Sequence, residues 1–433
     1  MALRMRNGLP LWLVLASISA CTKSPNAGEP IEDTGLCDGR TDVSASVKSD
    51  VVEPGVGFSV AFYKRMARTE KGSFVFSPFG VRSTLALSAV GARGDTATEL
   101  AESLRAKGGT TSKWHHSFSN VQAQVLCPQG ERSRKIEFAN GLFLQDGLDL
   151  KDSFVASLEK NYAATPHPAD FKDDTADAKA AINDWINDQT QGKIANIVAP
   201  KTVTRKTKLL LVNGLSVSDR WSAPFDPAET RNEAFYLAPK QAKKTPMMHQ
   251  LETLSFVKNS GFQALLLPTE RERTAMVVFL PTRADGLAAL ETNMTAQVMK
   301  STFKALRNRA SQALVSVTLP KFRMTQFSNH TSVLMALGIQ KPFLTGKANF
   351  TGIDGGNQKL FVSAAVQKTV VDVGEGGLES PVPEAVEEVK TTAHPEPAAT
   401  FRADHPFLFS ILDSATGEIL YMGRVLNPTL DGV

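Results

Sequence analysis

Apolar residues recur at helical spacing over residues 56–67, where Val56, Val60, Phe62, Tyr63 and Met66 share one face. The pattern predicts a first helix there. Phe74-Val75-Phe76 reads as a short buried strand. Ser77-Pro78 then opens a helix that runs to Gly91, with serine as N-cap and proline in the first turn. Asp95 is placed to cap another helix, through Leu104, and Asp152 to cap one over 153–161. Between them, 136–144 is strand-like. Residues 174–190 have the spacing of an amphipathic helix with Ala181, Ile182, Trp185 and Ile186 turned inward.

From residue 208 the period changes. Runs at 208–217, 234–237, 254–257, 262–267, 275–280 and 314–319 are strand-like, many of them separated by turn residues. Helical patterns interrupt them at 287–306 and 330–337. Helices first and then mostly strands predict an α+β domain with large, largely antiparallel sheets.

One stretch fits neither period. Residues 374–400 hold no aromatic side chain, but four prolines, six glutamates and three glycines. They lie between apolar runs at 359–373 and 401–425. A segment this long without structure is a functional loop or a linker. A linker needs a domain beyond it, and the roughly 30 residues that follow are too few for an independent core. The C-terminal strands must therefore return into the preceding core. A long exposed loop across a finished domain reads as bait for a protease.

The N-terminus reads as a targeting segment. Arg4 and Arg6 precede an apolar stretch at 9–18, too short to span a bilayer as a helix. It ends in Ile18-Ser19-Ala20-Cys21, which resembles a bacterial lipobox with Cys21 as the lipidated residue. The alternative is a plain signal peptide cleaved after Ala20. The expected organisation is a signal peptide over 1–20, a lipidated polar tether over 21–50 and a single domain over 51–433. Thr22 is no inner-membrane retention signal of the aspartate type. The expected location is the outer membrane or surface of a Gram-negative cell, or the extracellular space. Cys37 and Cys127 remain, and export makes their pairing chemically possible without deciding it.

Removing residues 1–20 takes away Arg4 and Arg6 and no acids, and the resulting net charge of +2 (46 minus 44) is too small to imply nucleic-acid binding. The basic clusters at 132–135 and 201–208 read as solvated faces. No HExxH, GxSxG, CxxC or glycine-rich phosphate loop occurs. The seven histidines do not pair with carboxylates or cysteines at metal-ligand spacing. No metal or cofactor is expected. His115-His116 reads as surface and His405, beside Pro406-Phe407, as structural. These absences argue against an enzyme.

Several runs, taken in order, are specific. They include Phe76-Ser77-Pro78-Phe79-Gly80-Val81, Asn140-Gly141-Leu142-Phe143-Leu144, Leu210-Leu211-Val212-Asn213 and Trp221-Ser222-Ala223-Pro224-Phe225. Leu319-Pro320-Lys321-Phe322 and Asp404-His405-Pro406-Phe407-Leu408-Phe409 complete the set. The chain resembles the serpin family over about residues 50 to 430. The resemblance implies a metastable α+β serpin fold with three β-sheets, eight or nine helices and an exposed reactive-centre loop. It implies a monomer whose partner is a serine-type or a cysteine endopeptidase. The protease cuts the loop, the loop inserts into the main sheet, and the inhibitor is consumed.

Carried over by position, Ser77, Asn213 and Gln367 mark where the main sheet parts. The family often has a histidine at the position of Gln367, so the site is expected to lose any pH dependence. Trp221 marks the point where the loop enters. The hinge is Glu375, Gly377, Leu378, Glu379, Ser380, Pro381 and Pro383. Glu375, Gly377 and Glu379 fit the family; Leu378 replaces a threonine, and Pro381, Pro383 and Glu384 break a run of small residues. The scissile bond is expected at Thr391-Thr392, alternatively Lys390-Thr391. Lysine selects a trypsin-like enzyme, threonine an elastase-like or subtilisin-like one. The other function consistent with this hinge is a non-inhibitory serpin, a protease substrate or binding protein.

Overall fold

The computed structural model describes residues 36–37, 43–127, 135–379 and 396–430. The described residues form one compact unit.

A six-stranded sheet forms the face that matters for function. Its order is Phe322–Asn329, Val362–Gly374, Gly377–Leu378, Leu209–Arg220, Lys135–Gln145 and Pro166–Ala169. Leu209–Arg220 is buried on both faces over most of its length, which a near-continuous apolar run requires of a central strand. Val362–Gly374 runs parallel to it, in register from Val362 opposite Leu209 to Val370 opposite Ser216. Parallel neighbours need a long crossover, and some 140 residues separate these two in the chain.

Two apolar layers clamp this sheet. On one face, Ile182 and Ile186 of the helix Thr175–Gln189 join Phe143, Leu210, Val212, Ala364 and Val366 in one buried cluster. On the other, Leu215, Val217, Val371 and Val373 cluster with Val278, Leu280, Phe407 and Phe409 of a nine-stranded sheet.

The described residues thus form two hydrogen-bonded sheets where three were expected. The reason is the strand Gln241–Lys258. It pairs with Gln312–Pro320 along Met247 to Ser255 and with Phe262–Pro268 through Ser255 to Lys258. Its continuous ladder joins two groups of strands into one sheet. Only its apolar end, 254–257, carried a strand signal; residues 241–253 are largely polar.

Other local expectations shift. The helix expected over 287–306 is two, Leu287–Asn293 and Ala296–Leu306, because Thr295 caps the second through Val298 N–H. Arg93, not Asp95, occupies the N-cap of Gly94–Ser103, and Asp95 instead pairs with Lys341. Asp152 is the first helical residue after Lys151 in Asp152–Tyr162. Ala181 is exposed and Ala178 takes the inward position. His115 is buried, its ring bonded to the Tyr162 hydroxyl and edge-on to Trp114, while His116 is exposed.

Candidate functional site: the hinge and the seam of the main sheet

The segment expected to be structureless from residue 374 begins as ordered chain. After Val362–Gly374, Glu375 and Gly376 turn, and Gly377–Leu378 comes back between the two central strands. Leu378 lies opposite Val373 on one side and Asp219 on the other, antiparallel to both. Glycine is required at 377: its φ is 150°, and a Cβ there would lie 2.1 Å from the Asp219 carbonyl oxygen. Leu378 is 1% exposed, within the cluster that holds Val217, Trp221 and Val373. A leucine at the expected threonine position therefore fills apolar space.

The turn is held by its surroundings. The Trp221 indole donates to Gly374 O at 2.9 Å, and Trp221 N–H donates to Gly376 O at 3.0 Å. Phe225 N–H donates to Glu375 O at 3.0 Å. The Glu375 carboxylate takes Lys321 at 2.7 Å and the Thr230 hydroxyl at 2.9 Å. Burial pushes this carboxyl up, but Lys321 and the hydrogen bonds outweigh it and hold it below its ordinary value.

At Glu379 the chain leaves the gap, in left-handed backbone with φ 43°. Its N–H donates to Asp372 O at 2.8 Å and its carbonyl accepts from the Ser218 hydroxyl at 2.9 Å. Its carboxylate accepts from the Ser216 hydroxyl at 2.8 Å and lies 3.7 Å from Lys193. Ser380, Pro381, Pro383, Glu384, Lys390, Thr391 and Thr392 lie outside the described residues, as does Cys21. On the far side, Ala399–Arg402 is an edge strand parallel to Gln312–Pro320. Arg402 fastens it to Glu233 at 2.5 Å and to Asp404 at 2.9 Å.

Lower in the sheet the two central strands meet directly, and Ser77, Asn213 and Gln367 come together there. The Gln367 amide donates to Asn213 Oδ1 at 2.9 Å and to Ser77 O at 3.0 Å, and its oxygen accepts from Ser77 N–H at 2.9 Å. Asn213 donates in turn to Ala139 O at 3.0 Å. Ser77 caps the helix Pro78–Gly91 through Gly80 N–H.

Sequence reasoning missed one member. His330 Nε2 lies 3.2 Å from Gln367 Oε1, fully within the core and edge-on to Phe62. Gln367 Oε1 can only accept, so the tautomer with Nε2–H fits. Burial pushes the imidazole down to about 4. The seam therefore does contain a titratable ring, placed by the turn after Phe322–Asn329 and not by the strand that carries Gln367. No local period marks such a residue. Cys37 and Cys127 form a disulfide with Cα atoms 5.5 Å apart.

The serpin model, described as serine protease inhibitor, matches residues 55–428. The chain belongs to the serpin family. An uncharacterized serpin-like protein of Thermococcus kodakarensis is 32% identical over 372 residues, covering 86% of this chain and 84% of that protein. The human leukocyte elastase inhibitor is 31% identical over 363 residues, covering 82% and 93%. The solved structure of a highly specific serpin from the insect Tenebrio molitor superposes with a TM-score of 0.74 at 28% identity, covering 87% and 97%. The family is described as one of protease inhibitors, not enzymes, and this chain belongs to that family. The family match begins at residue 55 and does not bear on Cys21.

Proposed function

We propose that this serpin is an exported, covalent suicide inhibitor of serine-type endopeptidases. The protease serine attacks the carbonyl of Thr391, or of Lys390 in the alternative register, and the chain beginning one residue later leaves as a free amine. The acylated segment then adds to the main sheet between Val362–Gly374 and Leu209–Arg220. Ser77, Asn213 and Gln367 hold the seam that must part, and Trp221 carries the turn from which the new strand grows.

The observation that supports this reading is the hinge itself. Gly377–Leu378 already pairs with both central strands. Insertion would only have to extend a strand that is nucleated before cleavage. Leu378 is compatible with this, because it faces an apolar layer.

The second reading, a non-inhibitory serpin cut as a substrate, is favoured by Pro381, Pro383 and Glu384. Each proline removes a ladder donor. An unpaired buried acceptor costs roughly 1–3 kcal/mol, and about 1.4 kcal/mol on the insertion barrier slows it roughly tenfold. Insertion races deacylation, so a small penalty decides the outcome. Incubation with trypsin-like, elastase-like and subtilisin-like proteases separates the two readings. A complex that survives SDS supports inhibition, and clean cleavage without complex supports the substrate reading. At the N-terminus we propose lipidation at Cys21, followed by a tether shorter than the expected 21–50: Cys37 is bonded to Cys127, Ala45–Val47 and Lys48–Val52 are helical, and Val47 and Val51 lie in the core.

A further inference from the structure

Glu379 sits where the docked hinge ends and the closed seam begins. Above it, Leu378 separates Val373 from Asp219; below it, Val370 and Ser216 pair directly. Its carboxylate is 7% exposed. One oxygen accepts from Ser216, and the other, Oε1, has no hydrogen-bond partner. A buried, half-satisfied carboxylate is costly when ionised.

One neighbour, Asp372, adds to that cost. Asp372 of Val362–Gly374 and Glu137 of Lys135–Gln145 stand on flanking strands, and both feel Lys193, the lysine nearest Glu379. Lys193 follows the helix Thr175–Gln189 and is half-exposed. Lys321 and Arg323 lie on the Asp372 side, Arg323 at 4.0 Å from Asp372, and Lys135 lies beside Glu137. From beneath, the Tyr421 hydroxyl, bonded to Leu215 O, feels the Glu379 charge. Burial pushes all three carboxyls up from their ordinary values. For Glu379, Ser216, Lys193 and Arg323 pull the other way, and Asp372 adds to the rise. Docking the hinge brings a third carboxylate to a lysine that already serves two.

We propose that Glu379 is a positioning residue that makes docking of Gly377–Leu378 acid-favoured, so that pH sets how firmly the uncleaved hinge sits in the main sheet. The inference rests on reading this segment as the hinge of a reactive loop. Docking raises the proton affinity of the Glu379 carboxyl. By linkage, docking is strongest below the undocked carboxyl range and weakens as pH rises through the docked titration.

Hydrogen exchange of the Leu378 and Glu379 amides in the intact, uncleaved chain tests this at about pH 5 and about pH 8, after correction for intrinsic exchange. Protection in the wild type is expected to fall about threefold or more between the two. Glu379→Gln should keep the hinge protected at both. Lys193→Met and Ser216→Ala, which remove support for the ionised form, should steepen the fall. Protection that does not change with pH in the wild type overturns the proposal, and so does a fall that survives in Glu379→Gln. The measurement uses no protease. A chain that forms no SDS-stable complex yet shows the fall therefore sinks the inhibitory reading and leaves this one standing.

Discussion

His330 meets Gln367 across the innermost part of the main sheet, Nε2 to Oε1, at 3.2 Å. Gln367 in turn bridges Ser77 and Asn213. A neutral imidazole is thus built into the hydrogen-bond set that keeps the two central strands together.

Acid should loosen this seam. The unfolded chain protonates His330 near its ordinary 6.5, whereas the folded chain resists to about 4. The stability due to keeping the ring neutral is complete above the unfolded value and is lost as pH falls from 6.5 towards 4. The loss amounts to about 3 kcal/mol at most. His115, held down to about 4 by burial, acts in the same direction. Denaturant midpoints across that range should fall with pH, and His330→Gln should flatten part of the slope. An unchanged slope would show that the ring does not titrate there.

Gln367→Leu should leave Ser77 N–H and Asn213 Oδ1 without their partner. The expected cost is about 1–3 kcal/mol, read as a lower thermal midpoint. Asn213→Ala should cost a similar amount. The pair in combination should cost less than the sum, because the two residues share one hydrogen bond.

The hinge separates into two parts that mutation should distinguish. Leu378→Thr removes apolar volume from a closed site and should cost about 1–3 kcal/mol of hinge docking, seen as faster exchange of the Gly377–Leu378 amides. Replacing Ser380, Pro381, Val382, Pro383 and Glu384 with alanine, with Leu378 kept, should raise the yield of SDS-stable complex per cleavage. It should also raise the gain in thermal stability after cleavage. If the wild type already forms complex stoichiometrically, the prolines are no obstacle.

Limiting protease should cut first between residues 387 and 395, where the sequence is polar and proline-poor up to Pro395. Peptide masses locate the bond. A first cut at Arg271-Glu272-Arg273 would displace the reactive loop from its assigned position.

Cys21→Ser should move the protein out of the membrane fraction if Cys21 carries lipid. A variant that stays membrane-bound with residues 1–20 attached would make the segment an uncleaved anchor instead.

What the chain determined by itself was local. The 3.6-residue spacing at Val56, Val60, Tyr63 and Met66 marked a helix that is Glu53–Thr69 in the fold. Ser77 before Pro78 marked the cap of Pro78–Gly91. The change to short apolar runs separated by turn residues after residue 208 marked the strands, and the loss of any period at 374 marked the loop. These signals depend on neighbours within one or two turns. The tertiary structure alone decided which segments meet. Leu378 lies between Val373 and Asp219, residues far apart in the chain. Cys37 closes on Cys127 across 90 residues, and His330 reaches Gln367 because Phe322–Asn329 pairs with the strand that carries it. Ladder register and side-chain burial arise only when distant strands pack, so no periodicity within either partner records them.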